Sequence, residues 1–256
     1  MKITLWPVII SALSLAVYSC KSPALRPVAC KQYEMTASQV PQIDSTIYRM
    51  TDAYRQQLVS EMSELVVKSS MPLDKGLPES KLGNYVSDVC LAAGNKTAQE
   101  LHINQADFIV LNIGGLRKSL PKGDITVGDY YEVMPFENQL VILELKGSQV
   151  SDLLDLIANR GGTPVAGVSF KIDKLKKVAT NVVIKGLPLD TNAVYQVMTA
   201  DYLANGGDQY TVFTTTKSRK ETGLKIRDAL IDDAREKGKN GIELQIQTDG
   251  RITYAE

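Results

Sequence analysis

The order of its apolar segments limits the fold of this chain more than any other sequence feature. Strand-like runs at 107–111 and 140–145 and helix-like repeats at 80–101 and 226–234 follow one another without a regular alternation. Regular alternation would predict a doubly wound parallel sheet, whereas an irregular order favours segregated elements. We therefore predict an α+β fold in which flanking helices cover mixed sheets.

The first 19 residues have the layout of an export signal. Residues 3–17 form a mostly apolar run behind a short positive start. The run is shorter than the roughly 20 residues that a membrane-spanning helix needs, which is typical of a signal peptide. Residues 15–20 resemble a bacterial lipobox, with Ser19 before a lipid-modified Cys20, although Tyr18 is bulky for that pattern. The alternative is an ordinary signal peptide that is cleaved nearby.

The chain after Cys20 divides into a tether and one domain. Residues 20–43 contain three prolines and are predicted to be extended, while residues 44–256 are predicted to form the domain. Cys90 falls on an apolar helical face and is expected to be a buried thiol. A disulfide with Cys30 in an oxidising compartment is the alternative. We expect an exported protein that is held in the bacterial envelope, at the periplasm or outer membrane, by its lipid alone.

Composition excludes several kinds of functional site. The chain has one histidine, so a multi-histidine metal centre cannot be built from it. Basic and acidic residues both number 29, so no overall basic field would recruit nucleic acid. No P-loop, G-x-G-x-x-G or G-x-S-x-G motif occurs. His102 lies at the expected end of a helix, where an electrostatic role is commoner than catalysis.

Three polar loops border apolar runs, at 112–117, 134–138 and 201–210, and the first and the third each contain a pair of glycines. Aromatic rings in such loops can stack on a nucleobase, amides can bond its edge, and a carboxylate can accept hydrogen bonds from ribose hydroxyls. Taken singly, each loop is better explained by tight turns and buried aromatic residues. The order of the three loops along the chain is a more specific signal than any one loop.

In chain order, these loops and a helix-leading segment resemble the C-terminal domain of the 5′-nucleotidase family. The matching blocks are ESKLGN at 79–84, NIGGLR at 112–117, GDIT at 123–126 with PFEN at 135–138 and VILELKG at 141–147, and DYLANGGDQY at 201–210. The resemblance covers about residues 45–250 and implies a substrate-specificity domain of α+β fold.

The resemblance implies substrate-binding roles for six side chains of the three loops. By expected contact they are the base-stacking Phe136 and Tyr202, the base-contacting Asn112 and Asn138, and the ribose-binding Arg117 and Asp208. The family often has a further arginine just before the ES segment. Here Lys75 occupies that stretch, and it lacks the planar fork of a guanidinium group.

The family's catalysis resides in a metallophosphatase domain with histidine ligands, which this chain does not resemble. We therefore expect no catalytic residue, metal ligand or cofactor here, and divalent metals only in a partner phosphatase. The first functional hypothesis is the specificity subunit of a split nucleotidase, which acts in nucleotide catabolism with a separately encoded metallophosphatase. The second is a non-enzymatic nucleoside- or nucleotide-binding lipoprotein for capture or sensing. A third is a degenerate domain that is retained for protein contacts.

Overall fold

A computed structural model describes residues 45–216 and 218–255 of the chain. The predicted signal peptide, the tether, Cys20 and Cys30 lie outside these residues. The helices are α1 Ser45–Met62, α2 Lys81–Glu100, α3 Val127–Val133, α4 Gly147–Asn159, α5 Asp201–Ala204 and α6 Ile226–Lys239, with 3-10 turns at Ile113–Gly115, Gly207–Gln209 and Thr211–Thr215. The strands are β1 Leu65–Ser69, β2 Phe108–Val110, β3 Gly123–Thr126, β4 Gln139–Lys146, β5 Val165–Ala166, β6 Val168–Asp173, β7 Val178–Ile184, β8 Leu187–Pro188, β9 Val194–Ala200, β10 Arg219–Lys225 and β11 Ile252–Tyr254.

The strands form three sheets, of which the largest has the order β10-β4-β9-β2-β5. In it β2 and β9 run parallel, and the other pairs run antiparallel. The second sheet has the order β11-β6-β7-β8, with β11 and β6 parallel, and β1 pairs with β3. These mixed sheets with helices packed around them confirm the predicted fold class.

The core lies around the five-stranded sheet. In β4, the run Leu140–Leu143 is buried together with Leu145. Helix α4 turns an apolar stripe inward that includes Val150, Leu153 and Ile157, and it packs on β4 and β7. Helix α2 packs on β2, β5 and β10. Burial of each such aliphatic side chain contributes about 1.5–3 kcal/mol, so this sheet is a rigid platform for the loops at its edge.

The Gly94-Asn95 pair predicts an interruption of the helix at 80–101, but α2 continues through both residues. A Cβ at Gly94 would overlap the side chain of Met198 on β9, so this glycine permits close packing of the helix on the sheet. The Asn95 side chain donates to the carbonyl oxygen of Ala106 over 3.1 Å and accepts from its amide over 2.7 Å. Both residues therefore serve tertiary contacts and leave the helix intact.

The Asp249-Gly250 pair predicts a C-terminal hairpin of 242–247 with 251–254, and this prediction is wrong. Strand β11 pairs in parallel with β6, and Leu244 makes an isolated parallel bridge with Ser69. The amides of Asp249 and Gly250 donate to the Glu79 carboxylate over 2.8 and 3.0 Å. In a hairpin these amides would face the neighbouring strand, whereas here they bind the carboxylate of Glu79, which is distant in sequence.

Two single-residue predictions agree with the structure. Cys90 is fully buried, and burial raises the pKa of its thiol far above the ordinary range. His102 follows the end of α2, is exposed and has a φ of 56°, which a residue just beyond a helix end can adopt. Across the described residues, no helix combines the length and the apolarity needed to cross a bilayer.

Candidate functional site

The three polar loops meet at one edge of the central sheet because of its strand directions. Strands β2 and β9 are parallel and pair Val110 with Thr199 near their ends, so the loops that follow them leave the same edge. Strand β4 is antiparallel to β9 and pairs Leu140 with Ala200. Its preceding loop therefore reaches that edge too, although the three loops are far apart in sequence.

The loops enclose an open cleft of about 350 Å³, which we call the aromatic cleft. All six predicted binding residues line it. The complete lining is Asn112, Gly114, Gly115, Arg117, Phe136, Asn138, Tyr202 and Asp208. The Phe136 and Tyr202 residues are each 44% exposed, so neither is the core aromatic residue that each loop suggested when read singly. Exposed rings beside polar groups are typical of a ligand site.

The carboxylate of Asp208 joins two of the loops. Asn112 Nδ2 donates to Asp208 Oδ2 over 2.6 Å, and the Tyr202 hydroxyl donates to Asp208 Oδ1 over 2.9 Å. Asp208 has a φ of 49° and Gln209 a φ of 59°, a left-handed conformation that is unfavourable for residues other than glycine. Such strain often marks a functional loop, and here the two side-chain bonds hold it in place.

The two glycines before Asp208 have different physical tasks. Gly206 has a φ of 88°, which lets the chain turn after α5. At Gly207 a Cβ would lie 2.5 Å from Tyr202 Cζ, so only glycine lets the loop pass this close to the ring. The pair thus fixes the position of Tyr202 in the aromatic cleft.

Arg117 is exposed and donates from Nη1 to the carbonyl oxygen of Gly114 over 3.3 Å. Within the described part of the chain it forms no ion pair with a carboxylate. Lys75 lies outside the lining and donates to the carbonyl oxygen of Leu116 over 3.2 Å. Lys75 therefore stabilises the 112–117 loop from outside the cleft, while Arg117 lines the aromatic cleft.

Arg227, which was not predicted from the sequence, holds the loop that carries Phe136. Its side chain is 5% exposed and donates to the carbonyl oxygens of Met134 over 3.3 Å and Pro135 over 3.2 Å. It also pairs with Glu137 over 3.2 Å. The available signal was an arginine on the apolar stripe of α6, three residues before the buried Leu230.

Glu137 receives a second cation from Lys225, whose Nζ lies 2.9 Å from its carboxylate. The hydrogen bond from Lys225, with a further contribution from Arg227, lowers the pKa of Glu137 below its ordinary range. The carboxylate is therefore ionised at neutral pH and ties the Phe136 loop to the start of α6.

The ESKLGN segment lies away from the aromatic cleft and has a structural task. The Ser80 side chain accepts from the Gly83 amide over 3.1 Å and caps α2. The buried Asn84 donates to Glu79 over 2.6 Å, and Glu79 binds the turn before β11. This segment joins the start of α2 to the C-terminal strand.

The described residues offer no set of metal ligands. None of their histidine, cysteine, aspartate and glutamate side chains forms a group of three that could hold an ion. These residues therefore do not fit the two-metal centre that the resemblance assigns to another domain. The aromatic cleft contains the means to bind and orient a ligand: two rings, two amides, a guanidinium group and a carboxylate.

Comparison with known proteins shows the family to which this chain belongs. Residues 63–215, more than half of the chain, match the protein family described as "5′-nucleotidase, C-terminal domain". Protein UshA of Yersinia enterocolitica is 38% identical over 154 residues, which are 58% of this chain and 28% of that protein. A 5′-nucleotidase of Vibrio parahaemolyticus is 34% identical over 133 residues, which are 50% of this chain and 23% of that protein.

A solved structure extends the likeness to the fold. The 5′-nucleotidase precursor from Thermus thermophilus superposes with a TM-score of 0.67 at 27% identity, covering 83% of this chain and 44% of that one. This chain thus spans less than half of each of the three relatives.

Proposed function

The chain belongs to the 5′-nucleotidase C-terminal domain family, and from this premise we propose that it binds the nucleoside part of a nucleotide in the aromatic cleft. The observation that carries the proposal is the convergence of Phe136 and Tyr202, both half-exposed, with four polar side chains at one sheet edge. A purely structural domain would have no need to leave two aromatic rings in solvent beside polar groups.

Each group in the aromatic cleft has a chemical task in this proposal. The nucleobase lies between Phe136 and Tyr202, where stacking on each ring contributes about 1–3 kcal/mol. Asn138 bonds the edge of the base, and Asn112 does so from the opposite loop. Asp208 accepts hydrogen bonds from the ribose hydroxyls, since each oxygen of a carboxylate can accept more than one donor. Arg117 contacts the ribose side of the ligand.

We further propose that this chain is the specificity subunit of a nucleotidase whose metal centre belongs to a separate metallophosphatase. The remote nucleoside would then supply binding energy that orients the phosphate ester at the partner's metal ions. In such a centre the metal supplies an activated water. Residues of this chain would hold and orient the substrate without taking part in bond breaking.

Calorimetry with adenosine, AMP and UDP-glucose tests ligand binding directly. We expect micromolar to millimolar affinity for at least one of them in the wild type, and a loss of about tenfold or more in Phe136→Ala because one stacking face is removed. Leu175→Ala is the matched control, since Leu175 is an apolar residue that is 95% exposed and lies outside the cleft. Absence of binding to every nucleoside, or equal losses in both variants, would overturn the proposal.

A second experiment tests the partner. A metallophosphatase encoded nearby that lacks its own specificity domain is assayed on AMP with metal, alone and with this chain. We expect a higher kcat/KM with this chain, and a smaller gain with Phe136→Ala. Equal rates with and without this chain would refute the split enzyme and favour the alternative, a lipoprotein that captures or senses nucleosides. That alternative is supported by a cleft whose lining side chains all belong to this chain.

Export and lipid anchoring through Cys20 complete the proposal. They place the protein in the bacterial envelope and attach it to the membrane by acyl chains alone. Expression in a bacterial host with a labelled fatty acid should label the wild type and leave Cys20→Ser unlabelled. Labelling of both proteins, or of neither, would contradict the anchor.

A further inference from the structure

A second cavity of about 430 Å³ adjoins the aromatic cleft, and we call it the side cavity. The two share three lining residues, Asn112, Gly114 and Asp208. Asp208 therefore stands at the boundary between them. A ligand whose ribose contacts Asp208 would have room to extend into the side cavity.

The side cavity contains one full positive charge, which is supplied by Arg160. This residue caps the end of α4, is half-buried, and lies with Cζ 4.8 Å from the centre of the Tyr210 ring. In the described ranges, no carboxylate comes within 4.0 Å of its guanidinium group. A half-buried guanidinium group without a carboxylate partner keeps donors available for an oxyanion.

The walls of the side cavity hold Arg160 against a rigid surface. Tyr210 is 2% exposed and stacks on Phe213 with ring centres 5.7 Å apart, so the surface below the guanidinium group is fixed. Thr163, also in the wall, donates its hydroxyl to the carbonyl oxygen of Leu111. The exposed amide of Gln209 is another polar group here that carries N–H donors.

The charge of Asp208 opposes an anion in this place, but its two oxygens already accept from Asn112 and Tyr202. These bonds reduce its repulsion of a neighbouring oxyanion. A group that offers hydroxyls to Asp208 and an oxyanion to Arg160 would suit both neighbours. A ribose phosphate has this combination.

We propose that the side cavity is a phosphate subsite, in which Arg160 and Gln209 bind a phosphate ester on the ribose of a nucleotide whose base lies in the aromatic cleft. This inference rests on the proposed function and adds to it a preference for nucleotides over nucleosides. A phosphate at the 5′ position leaves both ribose hydroxyls for Asp208, whereas a phosphate at the 3′ position leaves only the 2′-hydroxyl, and the test distinguishes the two positions.

The test compares the affinities of adenosine, 5′-AMP and 3′-AMP for the lipid-free protein at low salt. We expect at least one nucleotide to bind about tenfold more tightly than adenosine. The reason is that the guanidinium group of Arg160 would donate charge-assisted hydrogen bonds to the phosphate at a partly exposed site. In Arg160→Gln that preference should fall to about twofold or less, while adenosine affinity stays within about twofold of the wild type. Arg160→Lys keeps the charge but loses the fork, so an intermediate preference is expected.

Lys176→Gln removes the same charge from the exposed turn between β6 and β7, and it should leave the preference unchanged. The two monophosphates identify the ribose position that the subsite serves. Equal weakening of adenosine and both nucleotides in Arg160→Gln would assign Arg160 a structural role and overturn the inference. A wild type that binds adenosine and both nucleotides equally would also overturn it, while the proposed function would stand. A wild type that binds none of them would overturn both.

Discussion

The aromatic cleft and the ESKLGN segment at 79–84 both match family motifs, yet they differ in how far the protein encloses their side chains. In the segment, the buried Asn84 and the Glu79 carboxylate bind partners within the protein, among them the amides of Asp249 and Gly250. In the cleft, Asn112 and the Tyr202 hydroxyl bond Asp208, yet the rings of Phe136 and Tyr202 are each 44% exposed. Within the described residues, the Arg117 guanidinium group donates to the carbonyl oxygen of Gly114 and forms no ion pair. A motif with internally satisfied groups stabilises the fold, whereas one with available groups is suited to a ligand.

The sharpest test of this comparison is the double variant Phe136→Ala/Tyr202→Ala. Removal of both stacking faces should lower nucleoside affinity by at least about 100-fold, since each ring contributes about 1–3 kcal/mol. Each residue is just over half buried and Tyr202 also loses its bond to Asp208, so the free energy of unfolding should fall by about 1–2 kcal/mol while the protein stays folded. Calorimetry and urea unfolding measure the two quantities. A large loss of stability would mean that the rings are structural.

The opposite result is expected from Asn84→Ala in the ESKLGN segment. Asn84 is 2% exposed and donates to Glu79 over 2.6 Å and to the carbonyl oxygen of Gln247 over 3.3 Å. Its loss removes two hydrogen bonds and a buried side chain, and it should lower the free energy of unfolding by about 2 kcal/mol. The variant that remains folded should bind nucleosides like the wild type. Reduced affinity at unchanged stability would place this segment in the binding site.

Sequence patterns correctly predicted helices and strands that have one apolar face. They failed for segments whose hydrogen-bond partners lie far away in the sequence. The helical spacing of Val150, Leu153 and Ile157 predicts an amphipathic helix, which the structure has as α4. Thr126 is a typical N-cap residue, and its side chain caps α3. Strand β10 was missed because its sequence, RKETGLK, lacks apolar alternation at the edge of the sheet. The false terminal hairpin came from an Asp-Gly pair whose amides bind a residue 170 positions away.

The six cleft residues were predicted as a set only through the family resemblance. Each loop alone was better explained by turns, because the pairing of β2, β4 and β9 that brings the loops together is not visible in any of them. Arg227 was missed for the same reason, since its partners Met134, Pro135 and Glu137 lie about 90 residues away. The local sequence signal of these contacts was an arginine on the apolar stripe of α6.

Gly207→Ala tests whether the position of the Tyr202 ring in the aromatic cleft determines nucleoside affinity. The added Cβ would lie 2.5 Å from Tyr202 Cζ, so the ring or the loop must move. We expect nucleoside affinity to fall by about tenfold as Tyr202 is displaced, with a cost of about 1 kcal/mol in stability. Gly186→Ala serves as the control: Gly186 has a positive φ of 81° but nothing within 4 Å of the added carbon. Equal affinity losses in both variants would mean that ring displacement is not the cause.

The smallest expected effect concerns the ion pairs that tie the Phe136 loop to α6. Lys225 and then Arg227 lower the pKa of Glu137, so its contribution to stability is present at neutral pH and is lost as pH falls through its folded-state value. The urea midpoint of the wild type should therefore exceed that of Glu137→Gln at pH 7, and the difference should vanish well below about pH 4.3. Because Glu137 is exposed, added salt should also shrink the difference. A difference in urea midpoint that persists unchanged in acid would show that Glu137 stabilises the loop through packing and not through its charge. The cleft loop would then be held in place independently of pH.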